Sequence, residues 1–138
     1  MKKRYVLDAC SLLAFLYDEN GADFMQDVFS SAKRNDAAVF MHAVNLFEVY
    51  YDVSRAHGES KARSLLKSIK KFPIVINSVI GENMITVAGN LKSKYRISLA
   101  DSIGLAQTVL LNAAFVTSDH HELDVVETNE NINFTWLR

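Results

Sequence analysis

Residues 97–119, ISLADSIGLAQTVLLNAAFVTSD, decide how this chain is read. Ser98 stands where a helix N-cap belongs, and Asp101 follows at the spacing of a capping box. Small and apolar residues then predict a helix to about Leu111. Ala114-Phe115-Val116-Thr117 predicts a short buried strand, and Ser118-Asp119 the turn that leaves it. The block therefore carries one acid where a helix opens and another where a strand stops.

The same alternation recurs upstream. Tyr5-Val6-Leu7 predicts a central strand ending at Asp8, with a helix over 11–17 that Asn20-Gly21 breaks. Phe24, Met25, Val28 and Phe29 give a second helix, over 22–33, its apolar face. A strand over 38–41 leads to a helix over 44–56, which carries Glu48 and stops at Gly58. A basic amphipathic helix over 59–71 is ended by Pro73, the only proline. Residues 74–76 predict a strand, and Ser78 reads as the cap of a helix over 79–95. Asp119 reads as the cap of a short helix over 120–123, and 133–137 as a last, edge strand. Strands alternating with helices predict an α/β fold: a three-layer α/β/α sandwich around a mostly parallel sheet, in one domain over 1–138.

Composition sets the outer bounds. An apolar content of 49% in 138 residues supports one real core and argues against disorder. A net charge of −1 supplies no global positive field, so contacts to nucleic acid would have to be local. The single Cys10 forms no internal disulfide and fits a reducing compartment. The basic start is followed by an apolar run that Asp8 interrupts, which predicts no signal peptide, no membrane span and a cytoplasmic protein.

In a parallel sheet the acids Asp8, Glu48, Asp101 and Asp119 fall toward one place, the carboxyl edge. Each has an ordinary explanation. Asp8 and Asp119 can cap helices, and Glu48 and Asp101 can close capping boxes begun by Asn45 and Ser98. A cap needs only a polar side chain, however, and Ser, Thr or Asn would serve. Acid at all four positions points to a demand for negative charge. Carboxylates so grouped repel one another unless a cation lies among them, and oxygen-only ligation selects a hard ion, Mg²⁺ or Mn²⁺. Such an ion supplies Lewis acidity and a hydrolytic nucleophile near neutral pH, which suits a phosphate-containing substrate.

Four pieces in order carry a resemblance over essentially the whole chain: Asp8-Ala9-Cys10-Ser11 after the first strand, Glu48 in the helix after the second, Ser98-Leu99-Ala100-Asp101, and Val116-Thr117-Ser118-Asp119. Together they resemble the PIN domain, and among its members the VapC-type toxins of toxin–antitoxin pairs. The resemblance implies a metal-dependent endoribonuclease specific for single strands. It implies that Asp8, Glu48, Asp101 and Asp119 form the catalytic and metal-binding quartet with Mg²⁺ or Mn²⁺, supported by the hydroxyls of Ser11 and Thr117. It also implies an RNA substrate, a homodimer and a cognate antitoxin.

His120, His121 and Glu122 beside the last acid read as solvated surface, with Glu122 a candidate to assist a second ion. Arg55, Lys61, Arg63, Lys92, Lys94 and Arg96 are candidate phosphate contacts, and Phe47, Tyr50 and Tyr51 candidate stacking or packing groups. A dehalogenase-like phosphatase would need Asp-x-Asp at the first strand, where Asp8 is followed by Ala9 and Cys10. A receiver domain would need a late lysine after Ser118-Asp119, and a dinucleotide site a glycine-rich first turn. A nucleophilic Cys10 lacks a histidine partner near it in sequence. The non-enzymatic alternative is a catalytically silent module of this kind that binds RNA or a protein.

Overall fold

Five strands set the frame in the computed structural model, which describes residues 2–138. They are β1 (Lys3–Leu7), β2 (Ala37–His42), β3 (Val75–Asn77), β4 (Ala114–Thr117) and β5 (Asn133–Trp136). The helices among the described residues are α1 (Ala9–Leu16), α2 (Ala22–Lys33), α3 (Ala43–His57), α4 (Glu59–Ile69), α5 (Glu82–Lys94), α6 (Leu99–Leu111) and α7 (His120–Asn129). The strands lie in the order β3-β2-β1-β4-β5, and every pairing is parallel. The sheet is thus fully parallel where the sequence predicted mostly parallel, and β5 is the expected edge strand.

Side-chain alternation along the strands divides the core into two layers. Leu7, Val39, Met41 and Val116 face one way and meet Leu12, Met25, Val28, Val49 and Ile69 of the first four helices. Val6 and Phe115 face the other way and meet Leu91, Leu105, Leu123 and Val126 of α5, α6 and α7. Burial on both faces explains why the central strands read as unbroken apolar runs. The result is the predicted α/β/α sandwich.

The chain winds from β1 to β3 on one side of the sheet and from β4 to β5 on the other. Direction reverses between β1 and β4, and the crevice at their carboxyl ends is where such sheets bind ligands. Asp8 follows β1 and Asp119 follows β4, so the two flank that crevice.

Three local expectations are corrected. Ser78 does not cap a helix over 79–95: α5 begins at Glu82 with Gly81 as its N-cap. Asn77 Oδ1 accepts the Val79 N–H at 3.1 Å, and the buried His42 ring donates from Nε2 to the Val79 carbonyl at 3.0 Å. These bonds hold Val79 in a turn. The Asn45–Glu48 capping box is absent as well. His42 is the N-cap of α3, its Nδ1 accepting the Val44 N–H at 3.1 Å, so Glu48 lies in the second turn. Finally, α7 runs to Asn129 rather than stopping near Leu123, because Leu123 and Val126 both enter the core.

Gly104 lies where α6 packs closely on the sheet. A Cβ there would lie 2.7 Å from Phe115 Cε1 and 3.1 Å from its Cζ, and Phe115 is fully buried. Alanine gains about 1 kcal/mol of helix propensity. Displacing a locked core ring costs about 1–3 kcal/mol, so the clash prevails. Gly104→Ala is expected to lower the urea midpoint with an unchanged m-value; an equal or higher midpoint would show that α6 can shift freely.

Candidate active site

A depression of about 210 Å³ opens at the crevice, lined by Asp8, Glu48, Asp52, Asp101, Asp119 and Glu122 among others. All four acids singled out in the sequence reach it, and they do so from four different segments. Asp8 is the N-cap of α1: its Oδ1 accepts the Ser11 N–H at 2.8 Å, and the buried Ser11 hydroxyl donates to the Asp8 carbonyl at 3.0 Å. Its Oδ2 accepts the Thr117 hydroxyl at 2.5 Å. Thr117 Oγ1 also accepts the Asp119 N–H at 3.1 Å. One buried threonine at the end of β4 therefore fixes both acids that flank the crevice. The Ser11 hydroxyl ties down the backbone turn, whereas the Ser11 N–H and the Thr117 hydroxyl each hold one carboxylate oxygen.

The capping interactions at α6 bear directly on the site. Ser98 Oγ accepts the Asp101 N–H at 3.0 Å, the first half of a capping box. In the second half Asp101 would accept the Ser98 N–H; here Glu122 Oε1 takes that proton at 2.5 Å. Asp101 is thereby relieved of structural duty, and its buried carboxylate faces the pocket. Glu122 is held in turn from α7, where its own N–H donates to Asp119 Oδ1 at 3.2 Å. The sequence offered Glu122 either as part of a solvated face or as an aid to a second ion. The available signal was its position three residues after Asp119, in the same helical turn.

Carboxylate oxygens of Asp101, Asp119 and Glu122 lie within 4.8 Å of one another. Asp8 and Glu48 line the same pocket outside that tightest group. Burial and crowding disturb several of the groups in the pocket. Burial, followed by the charges of Asp8, Glu122, Asp119 and Glu48, pushes the Asp101 carboxyl up to about 8. Burial pushes Asp8 up to about 6 against the opposing pull of the Thr117 hydroxyl. Glu48 is raised by burial, then by Glu122 and Asp119. Glu122 is also raised by burial, while the Ser98 N–H pulls the other way. The thiol of Cys10, at the rim, is driven up to about 12 by desolvation and the surrounding acids, which removes it as a nucleophile. A pocket in which Asp8, Glu48, Asp101 and Glu122 resist ionisation, with oxygen donors converging, fits a hard divalent cation.

His120 is occupied elsewhere. Its Nδ1 lies 2.7 Å from Asp124 Oδ1 and its Nε2 2.6 Å from the Arg138 carbonyl. These two bonds engage both ring nitrogens, so neither is left over to ligate a metal. The bond to Asp124, followed by that to Arg138, raises its pKa. His121 is exposed and is not among the converging ligands, although it lies close enough to act electrostatically on Glu122. Among the candidate cations, Arg63 pairs with Glu59, Lys94 with Glu130, and Lys92 donates to the Ile97 carbonyl. Phe47 and Tyr51 are exposed, while Tyr50 packs against the core.

A fully parallel doubly wound sheet with carboxylates gathered at its switch point defines a class of α/β proteins that work on ligands at that edge. Within that class, the chain belongs to the PIN domain family, whose model matches residues 5–128. No curated protein sequence matches it. Solved structures do. DNA-bound VapBC from Salmonella typhimurium aligns with a TM-score of 0.73 at 10% identity, covering 100% of both chains. VapBC2 from Rickettsia felis, bound to a DNA fragment from its promoter, aligns at 0.72 with 16% identity, over 96% of this chain and 98% of that one. VapBC-1 from nontypeable Haemophilus influenzae aligns at 0.72 with 11% identity, over 97% and 98%. Among the described residues no helix is long and apolar enough to cross a membrane.

Proposed function

We propose that this chain, as a single domain over 1–138, is a metal-dependent endoribonuclease and the toxin of a toxin–antitoxin pair. The observation that carries the reading is the meeting of Asp8, Glu48, Asp101, Asp119 and Glu122 in one pocket at the switch point. Membership of the PIN family supports a nuclease, and a structural neighbour described as a toxin–antitoxin complex supports the partner. A homodimer in the cytoplasm belongs to the same reading.

Each residue then has a task. Asp101, Asp119 and Glu122 would hold Mg²⁺ or Mn²⁺, with Asp8 and Glu48 completing the negative wall. A bound ion of this type supplies Lewis acidity toward a phosphate oxygen and makes hydrolytic water available near neutral pH. Thr117 keeps Asp8 and Asp119 in register across β1 and β4. Ser98 and Glu122 anchor α6 to α7, which fixes Asp101 against Asp119.

The test is incubation of purified, antitoxin-free protein with a mixed, largely single-stranded RNA pool, in Mg²⁺ or Mn²⁺ and in chelator. Cutting that requires the metal is expected. Binding without cutting in either metal would replace the enzyme with a silent RNA-binding module.

A further inference from the structure

The acidic pocket poses a problem for the substrate that the nuclease reading gives it. Six acids and no lysine or arginine contribute to its lining. A polyanionic strand is repelled by such a wall, and ions bound there would meet one phosphate. The rest of the strand must be held by something beside the pocket.

The exposed face of α3 supplies candidates. Phe47, Tyr51 and Arg55 are four residues apart in succession, so they stack along one side of the helix. That side is not spent on the core, to which α3 contributes Asn45, Val49 and Val53. Phe47 is 64% exposed and Tyr51 39%. Their rings meet edge to face, with centroids 5.6 Å apart. Arg55 holds its guanidinium 5.1 Å from the centre of the Tyr51 ring, and none of the ion pairs among the described residues involves it. Tyr51 itself lines the acidic pocket. The track therefore meets the site at its middle member, with Phe47 one turn of α3 to one side and Arg55 one turn to the other.

We infer that Phe47, Tyr51 and Arg55 form a track for single-stranded nucleic acid, on which bases stack against the two rings and a backbone phosphate meets Arg55. The inference deepens the nuclease reading and rests on it. Stacking suits this pocket because it holds a strand without adding positive charge among metal-seeking acids. It tolerates any sequence, since every base has a π-face, and it favours unpaired strands, whose bases are free to splay. Phe47 also borders an apolar hollow formed with Ala43, Leu46, Tyr50 and Leu66. A protein seated on that hollow is the competing occupant.

Fluorescence anisotropy of a short labelled RNA strand, in Ca²⁺, separates these outcomes. Ca²⁺ screens the acids but binds with longer, looser geometry than Mg²⁺. Phe47→Ala and Tyr51→Ala are each expected to weaken binding about 5- to 50-fold, and Tyr51→Trp to restore it. Arg55→Ala should flatten the salt dependence, and an abasic strand should bind wild type and ring variants alike. Hydrolysis of bis(p-nitrophenyl) phosphate in Mn²⁺, an ester with no flanking bases, should fall by a much smaller factor in the ring variants than their RNA binding does. Wild type that binds the strand but hydrolyses neither RNA nor ester would remove the nuclease reading and leave the track standing. Ring variants that bind RNA as wild type does would overturn the track. If those variants also show a smaller mass by light scattering, the face is a contact between protein copies.

Discussion

Asp101→Asn is expected to lower metal-dependent RNA cleavage by at least about 100-fold and, in the same preparation, to make the metal-free protein more stable. The first effect follows from position. Asp101 is buried, faces the pocket, and lies in the tightest group of oxygen donors with Asp119 and Glu122. Loss of a group that merely orients a metal ligand costs about 10–100-fold, and loss of a direct ligand costs at least that. The second effect follows from the carboxyl's altered acidity. Burial and four neighbouring acids raise it from an ordinary 3.8 to about 8, so near neutral pH its ionisation opposes the fold. An amide fills the same space without that charge. A variant that loses both activity and melting temperature would reveal a structural acid instead. A variant that keeps its activity would remove Asp101 from the site.

This conflict between function and stability explains which parts of the site were legible in the sequence. Asp8, Asp101 and Asp119 stand at the ends of recognisable elements, so the strand and helix pattern carried them to the correct edge. Glu48 was placed correctly for a partly mistaken reason. Its supposed capping partner Asn45 is a buried residue of α3 whose carboxamide makes no hydrogen bond among the described residues, and the true cap, His42, is an uncommon choice. Glu122 was undervalued because its main contact, the Ser98 N–H, lies 24 residues away in the chain. A local reading sees only an acid on a short helix. The misplaced start of α5 has a similar origin: the bond from His42 to the Val79 carbonyl spans 37 residues and overrides the local signal of Ser78. Phe47 and Tyr51 were read alongside Tyr50, yet helical spacing sends Tyr50 toward the core and the other two to solvent. In each case the element was visible locally, whereas the partner that fixes its role was supplied by the sheet.

The largest expected effect of solution conditions concerns pH and metal together. Asp8 and Asp101 have folded-state pKa values raised to about 6 and about 8. A carboxyl raised in this way contributes stability that is complete below its unfolded value, near 4, and is lost as pH rises through the folded value. In chelator the protein is therefore expected to melt at a higher temperature at pH 5.5 than at pH 8.5, by about 5–10 °C for an effect of about 2 kcal/mol. His120, also raised, acts in the same direction, so the slope must be assigned by difference: Asp101→Asn should flatten it, while His120→Gln should leave most of it. Divalent metal should reverse the trend. It competes with protons for the same oxygens, so Mn²⁺ should raise the melting temperature strongly at pH 8.5 and hardly at pH 5.5. RNA cleavage should fall on the acid side for the same reason. Differential scanning fluorimetry across that pH range, with and without Mn²⁺, gives the whole pattern. Equal melting temperatures at the two pH values in chelator, or a metal effect that survives unchanged in Asp101→Asn, would break the link between the crowded carboxylates and the ion they are proposed to hold.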